Sequence, residues 1–355
     1  MKGLILSGGH GTRLRPLTYS QQKQLIPVAN KPVLFYVIED IIEAGIREIG
    51  IVVGPNKEQV IKAVRSKDWD AEIEFIDQPE PLGLAHAVKI SQHFLEDEKF
   101  VMYLGDNILR GGILQHVKNF ENSSADASIL LAEVEHPERF GVAKLDENGK
   151  LIKLVEKPKR PESNLALVGI YMFTPVIFEA VRNIKPSWRN ELEITDAIQW
   201  LIDNGYKVDY SIVDGWWKDT GKPEDILDAN RLILDAEIKD FKNEGSISRE
   251  VIIRGRVKIG KNTEIKGRTV IKGPVIIGEN CKIEDSYIGP YTSIGNFCKI
   301  INTEIEDSIV MDYTYIENCG RVVDSLIGKE VKIESNSKLP KGHRFIVGDN
   351  SEVMI

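Results

Sequence analysis

From Ile259 onward an aliphatic residue returns every six positions. The series runs Ile259, Ile265, Ile271, Ile277 and Ile283, takes one shortened step, and continues at Ile288, Ile294 and Ile300. It then passes through Ile305, Val310, Ile316, Val322, Ile327 and Ile333, and Gly follows at Gly260, Gly278, Gly295 and Gly328. A β-sandwich would alternate at period two, with turns at about 8–12-residue spacing. A sustained six-residue beat predicts a solenoid instead, a parallel β-helix. Three such units make one triangular coil, with the aliphatic side chain filling its axis. Cys281 and Cys298 fall four residues after a repeat aliphatic, in the phase also held by Thr263, Thr269, Val275 and Thr292. Period-two alternation points that position inward, so both are expected to be small buried residues stacked on neighbouring coils.

Upstream of about residue 245 the pattern is different. Apolar runs at Leu4-Ile5-Leu6, Glu48 to Val53 and Phe100 to Leu104 each end in or soon meet Gly or Pro, as buried parallel strands do. Between them, Val33 to Ala44 (closed by Gly45) and Leu84 to Phe94 carry helical spacing. This alternation predicts an α/β fold with a Rossmann-like mixed, mostly parallel sheet and helices on both faces. A helix is expected over Lys222 to Phe241. The expected domains are 1–241, a linker at 242–250, and the β-helix with a capping tail over 251–355; the tail Lys341 to Ile355 is expected to cover the last strand edge.

Composition narrows the function. Among 355 residues, 46 Lys+Arg stand against 54 Asp+Glu, a formal charge of −8, so a dedicated nucleic-acid partner is not expected. No long apolar run suggests a membrane span. The N-terminus meets Gly8-Gly9 too soon for a signal peptide. With three Cys and no CxxC pair, the expectation is a cytoplasmic chain with reduced thiols and no structural zinc.

Ligands of open α/β sheets bind beyond the carboxyl ends of the strands. There the chain places Ser7-Gly8-Gly9-His10-Gly11-Thr12-Arg13-Leu14-Arg15-Pro16. Three glycines let backbone N–H groups approach a phosphate. No Gly-Lys-Ser/Thr follows, so this is not a P-loop, and Leu14 stands where the dinucleotide fingerprint needs its third glycine. Arg13, Arg15 and Lys23 close behind make a polyphosphate site the natural reading. His10 is read as a rim residue. Asp106, Glu156 and Asp219 each sit near the end of an apolar segment. Two carboxylates brought together there suit Mg²⁺, which takes one or two carboxylates plus phosphate oxygens.

The glycine loop, Gln22-Lys23-Gln24-Leu25-Ile26-Pro27-Val28, Gly105-Asp106-Asn107, Glu156-Lys157-Pro158, Glu191-Leu192-Glu193-Ile194-Thr195-Asp196 and Trp217-Lys218-Asp219-Thr220-Gly221 stand in an order that resembles the sugar-phosphate nucleotidylyltransferases. Lys-Gln-Leu and Glu-Leu-Glu-Ile-Thr-Asp resemble the thymidylyl branch, in its long form with a hexapeptide-repeat tail. The resemblance implies a left-handed β-helix, a homo-oligomer, and dTTP (or UTP) and glucose 1-phosphate as substrates. It also implies roles. Arg13, Lys23 and Asp106 would be catalytic. Leu6, Gly8, Gly9, Gly11, Thr12, Arg13, Gln78 and Gly83 would bind the nucleotide. Gly141, Glu156, Lys157, Gly169, Tyr171, Arg189 and Trp217 would bind the sugar phosphate, with Tyr171 and Trp217 equally placed to be core aromatics. Asp106 and Asp219 would hold Mg²⁺. A uridylyl or other sugar-1-phosphate specificity, or a non-catalytic nucleotide-binding homologue, are the alternatives. Acetylating relatives use a β-helix His, and none occurs between Gly245 and Pro340.

Overall fold

The computed structural model describes residues 1–9, 11–335 and 347–354. Its first half is built from β1 (Lys2–Ser7), α1 (Val33–Glu43), β2 (Glu48–Val53), β3 (Glu72–Asp77), α2 (Leu84–Ile90), β4 (Phe100–Leu104) and β5 (Asn107–Leu109). There follow β6 (Ala127–Glu133), β7 (Gly141–Leu145), β8 (Leu151–Glu156), β9 (Leu165–Phe173), α3 (Ile194–Asp203), β10 (Val208–Ile212), β11 (Trp217–Asp219) and α4 (Pro223–Glu237). The sheet runs β8-β7-β9-β4-β1-β2-β3, with β6 paired to β9 and β10.

β1 is parallel to β2 and β4, and β2 to β3, as the apolar runs predict. β9 runs antiparallel to β4, β6 and β7, which makes the sheet mixed. Strand alternation sends Leu4, Leu6, Val52, Phe100 and Met102 into one core and Ile5, Ile51, Val101 and Tyr103 into the other. Each such side chain contributes about 1.5–3 kcal/mol by leaving water. The expected helix over Leu84 to Phe94 is broken at Ser91, whose hydroxyl donates to the Ala87 carbonyl at 2.7 Å; a second short helix covers Gln92–Leu95.

By contact the chain forms two compact units. One comprises Met1–His10, Gln22–Leu25 and Val33–Asp219; the other comprises Gly11–Gln21, Ile26–Pro32 and Thr220–Ile355. From Lys242 to Glu334 the second unit is a stack of parallel coils. Its repeat aliphatics form three columns: Ile259, Ile277, Ile294, Val310 and Ile327; Ile247, Ile265, Ile283, Ile300, Ile316 and Ile333; and Ile253, Ile271, Ile288, Ile305 and Val322. Lys242–Asn243 and Ser246–Ile247, turn-like by composition, pair as the first rungs. Cys281 and Cys298 are buried in the same core, as their phase predicts.

Coil spacing explains the recurrent glycine. A Cβ at Gly260 would lie 2.7 Å from Gly278 backbone, and one at Gly278 2.7 Å from Gly295 backbone, so a side chain at either glycine would clash with the next coil. Helix α4 is anchored to the coils by charge. Arg231 bonds Asp307 through Nε (2.6 Å) and Nη2 (2.7 Å), and reaches Asp324 at 2.6 Å and Asp228 at 2.7 Å. Its hydrogen bonds to Asp307 hold the guanidinium well above its ordinary pKa. Arg256 adds a bond to Asp235 at 2.6 Å.

Candidate active site

The carboxyl end of β1 delivers the first part of the glycine loop. Gly8 and Gly9 pass close to two of the site's side chains. A Cβ on Gly8 would sit 3.2 Å from Gln78 Oε1, and one on Gly9 3.3 Å from Lys23 Cε. The Lys23 ammonium forms an ion pair with Asp106, just beyond β4. Burial alone would raise the Asp106 pKa; the Lys23 charge and hydrogen bond outweigh it and hold the carboxyl below its usual value. Asp106 is therefore a buried anion with a half-buried counter-ion. Its Oδ1 also accepts from Asn107 Nδ2 at 3.0 Å.

β11 runs antiparallel to β5 and sets Asp219 opposite Asn107, the residue after Asp106. Trp217 Nε1 donates to Asn107 Oδ1 at 2.6 Å and packs edge-on against Phe140 at 5.2 Å. Asp106, just before β5, and Asp219 on β11 thus offer hard carboxylate oxygens of the kind a divalent cation takes beside phosphate. Among the described residues no cluster of three or more His, Cys, Asp or Glu forms a closed protein cage.

Gln78 extends from the end of β3. Its Nε2 donates to the Gly83 carbonyl (3.2 Å) and meets His86 Nδ1 (3.0 Å). Burial, with the charge of Lys89, lowers the His86 pKa, and the neutral Nε2–H tautomer is the one in which Nδ1 accepts from Gln78. Gly83 has φ +104, and a Cβ there would lie 2.4 Å from the Leu192 carbonyl oxygen. Leu6 is buried, and its carbonyl accepts from Gly105 N–H at 2.9 Å. Gly11, Thr12 and Arg13 belong to the second unit. There Thr12–Leu14 forms a 3-10 turn entered by Gly11 at φ 61, and Thr18 Oγ1 bonds the Gly11 carbonyl at 2.7 Å.

A second cluster gathers at the end of β8. Glu156 accepts from Thr195 Oγ1 at 2.7 Å and lies 3.4 Å from Arg189 and 3.6 Å from Lys157. Gly141 borders it, since a Cβ there would be 2.9 Å from Thr195 Oγ1 and 3.1 Å from Glu156 Oε2. Gly169 (φ +82) approaches Leu104 and Asn107. Arg189 is ringed by Glu156, Glu191 at 3.1 Å and Glu193 at 2.8 Å. Three carboxylates thus meet Arg189, and one of them also meets Lys157, which puts acceptors suited to sugar hydroxyls beside two cations suited to a phosphate. Tyr171 is 3% exposed and stacks on Phe173 at 6.0 Å, so of its two readings the core one applies to its ring.

Sequence reasoning missed the residues that hold these groups. Asn107 links Asp106 to Trp217, and Thr195 and Glu193 fix Glu156 and Arg189. Gln24 is buried beside Lys23 with its Oε1 unbonded, as is the Ser7 hydroxyl at the end of β1. Both lie inside motifs already singled out, which was the available signal. His10 lies outside the described residues, as does much of the expected capping tail, 341–346 and 355.

Residues 2–236 match the nucleotidyl transferase family model, and 271–354 match one described as the GMPPB C-terminal domain. The chain is 47% identical to a glucose-1-phosphate thymidylyltransferase of Streptomyces antibioticus, covering 100% of this chain and 99% of that one. It is also 47% identical to a low-salt glycan biosynthesis nucleotidyltransferase of Haloferax volcanii, over 100% of both. A solved structure assigned as a glucose-1-phosphate thymidylyltransferase from Bacillus anthracis, in complex with sucrose, shares 35% identity at a TM-score of 0.61, covering 68% of this chain and 98% of that one.

Proposed function

The chain belongs to the nucleotidyl transferase family, and on that premise we propose that it makes dTDP-glucose and pyrophosphate from dTTP and glucose 1-phosphate. The observation that carries this reading is the Lys23–Asp106 pair against Gly9, with Asp219 across the ladder from Asn107.

In this reading a phosphate oxygen of glucose 1-phosphate attacks the α-phosphorus of dTTP. The bond from that phosphorus to the bridging β-phosphate oxygen breaks, and pyrophosphate leaves with the electron pair. The nucleophile is already an anion, so no general base is needed. What the protein supplies is positioning and charge stabilisation. Gly8, Gly9, Gly11 and Thr12 present backbone N–H groups to the triphosphate. Arg13 and Lys23 stabilise negative charge on the α-phosphate and the leaving group. Leu6 borders the base, and Gln78 with Gly83 reads its edge. Glu156 accepts from sugar hydroxyls beside Gly141 and Gly169, while Lys157 and Arg189 hold the sugar phosphate next to Trp217. Asp106 and Asp219 would hold Mg²⁺, which would supply positive charge beside the phosphates.

The same reading takes 1–241 as the catalytic domain, 242–250 as a linker that already carries the first rungs at Lys242–Asn243 and Ser246–Ile247, and 251–355 as a left-handed β-helix with a capping tail, in a cytoplasmic homo-oligomer. Pyrophosphate release tests the substrate assignment. With Mg²⁺ present, dTTP, UTP, GTP and ATP are each paired with glucose, N-acetylglucosamine and mannose 1-phosphate. The dTTP–glucose 1-phosphate pair is expected to give the highest kcat/KM. A higher value for UTP would move the chain to the uridylyl alternative, and no release from any pair would favour the non-catalytic one.

A further inference from the structure

Lys23 sits on a four-residue bridge, Gln22–Leu25, in the first unit, while the stretches on both sides of it belong to the second. On the carboxyl side, Pro27–Val28 and Lys31–Pro32 pair as a hairpin closed by Ala29 and Asn30, at φ 47 and φ 62. Two consecutive left-handed residues make a tight turn that Ala does not favour on its own. Such a conformation persists where its surroundings over-determine it.

Those surroundings are α4 and the coils. The Ala29 N–H donates to Oδ1 of Asn230 on α4 at 2.9 Å. Asn230, 1% exposed, also accepts from the Ser293 hydroxyl at 2.6 Å and donates to the Tyr291 carbonyl at 2.9 Å. Asn30 Nδ2 donates to the Ile294 carbonyl on the same coil at 2.6 Å. On the amino side, Leu17 lies over Gly328, where a Cβ would come within 3.1 Å of its Cδ2. Asn350 Nδ2 donates to the Tyr19 hydroxyl at 2.5 Å.

We infer that the solenoid is a positioning device for the phosphate-binding segment, with Asn230 and Asn30 as positioning residues that act through the backbone on Lys23. This rests on the nucleotidyl-transfer reading above for the role of Lys23. The coils hold the chain before and after the lysine, so the backbone that carries it is tethered at both ends. Asn230 spends every polar atom it has on this arrangement: Oδ1 serves Ala29 and Ser293, and Nδ2 serves Tyr291.

The test compares Asn230→Ala and Asn30→Gly with a control, Asn262→Gly. Asn30→Gly keeps a residue that tolerates positive φ and removes only the bond to Ile294. Asn262, also at positive φ, bonds Asn280 on a neighbouring coil and nothing near the hairpin. Two readouts are taken on the full-length chain. Amide hydrogen exchange over 22–32 is expected to rise at least fivefold in both strap variants, with β1 unchanged and the control unchanged. With dTTP and glucose 1-phosphate, kcat is expected to fall at least threefold in both, with KM for the sugar phosphate unchanged and the control at the wild-type rate. Wild-type exchange over 22–32 in both strap variants would overturn the inference, and this readout decides it even if the wild-type chain releases no pyrophosphate. A lowered Tm with wild-type kcat would likewise overturn it, by making the contacts purely structural. An inactive wild type would count against the functional reading alone.

Discussion

The two compact units use the same aliphatic residues to opposite ends. In the solenoid one side-chain type returns at one depth on coil after coil, so each coil repeats its neighbour's solution. In the α/β unit each strand is different, and topology gathers unlike groups at one edge: Lys23, Asp106, Asn107 and Asp219 come from widely separated stretches. Periodic sequence makes a rigid body, and aperiodic sequence makes a site. The contrast predicts that substitutions in the first should read out as stability and those in the second as rate.

The largest expected effect is at the ion pair. Asp106→Asn keeps shape and removes the charge that faces Lys23. kcat is expected to fall at least ~10²-fold, as loss of a group that stabilises reaction charge does. Circular dichroism should stay at the wild-type spectrum. An unchanged kcat would break the comparison on the catalytic side.

The next effect is in the coils. Ile283 is fully buried, stacked between Ile265 and Ile300. Ile283→Ala is expected to destabilise the second unit by about 2–5 kcal/mol through lost burial and an unfilled cavity. Denaturant unfolding followed at that unit measures it. A cost under 1 kcal/mol would mean the column is not the core that its period implies.

How legible each unit was follows from the same contrast. The columns could be read residue by residue, because burial at Ile259 repeats at Ile277 and Ile294. The parallel strands β1, β2 and β4 were legible as doubly buried apolar runs. The antiparallel strands β6 to β9 were not, since their pairing depends on long-range register and no strict alternation announces it. The break at Ser91 was hidden by an unbroken helical pattern, because one hydroxyl bond to Ala87 decided it. Lys23 and Asp106 stood out as charges at glycine-marked turns. Asn107 and Asn230 did not, because an amide earns its place only through partners distant in sequence, Trp217 for one and Ala29 for the other.

The smallest effect concerns pH. His86 has its pKa lowered from 6.5, mainly by burial, and its neutral Nδ1 accepts from Gln78. The unfolded chain takes up a proton near 6.5 and the folded chain only at lower pH. The contribution is therefore intact above 6.5 and lost as pH falls from there through the folded value. KM for dTTP is expected to rise a few-fold over that window while staying flat above it. A flat KM throughout would separate His86 from the base-reading function of Gln78.

The central claim is that a sugar-phosphate oxygen attacks the α-phosphorus within the α/β unit. Glucose 1-phosphate carrying heavy oxygen in its phosphate, turned over with unlabelled dTTP and read by mass spectrometry, tests it directly. The account predicts that all the label stays in the sugar nucleotide and that the released pyrophosphate is unlabelled. Label in the pyrophosphate would contradict it.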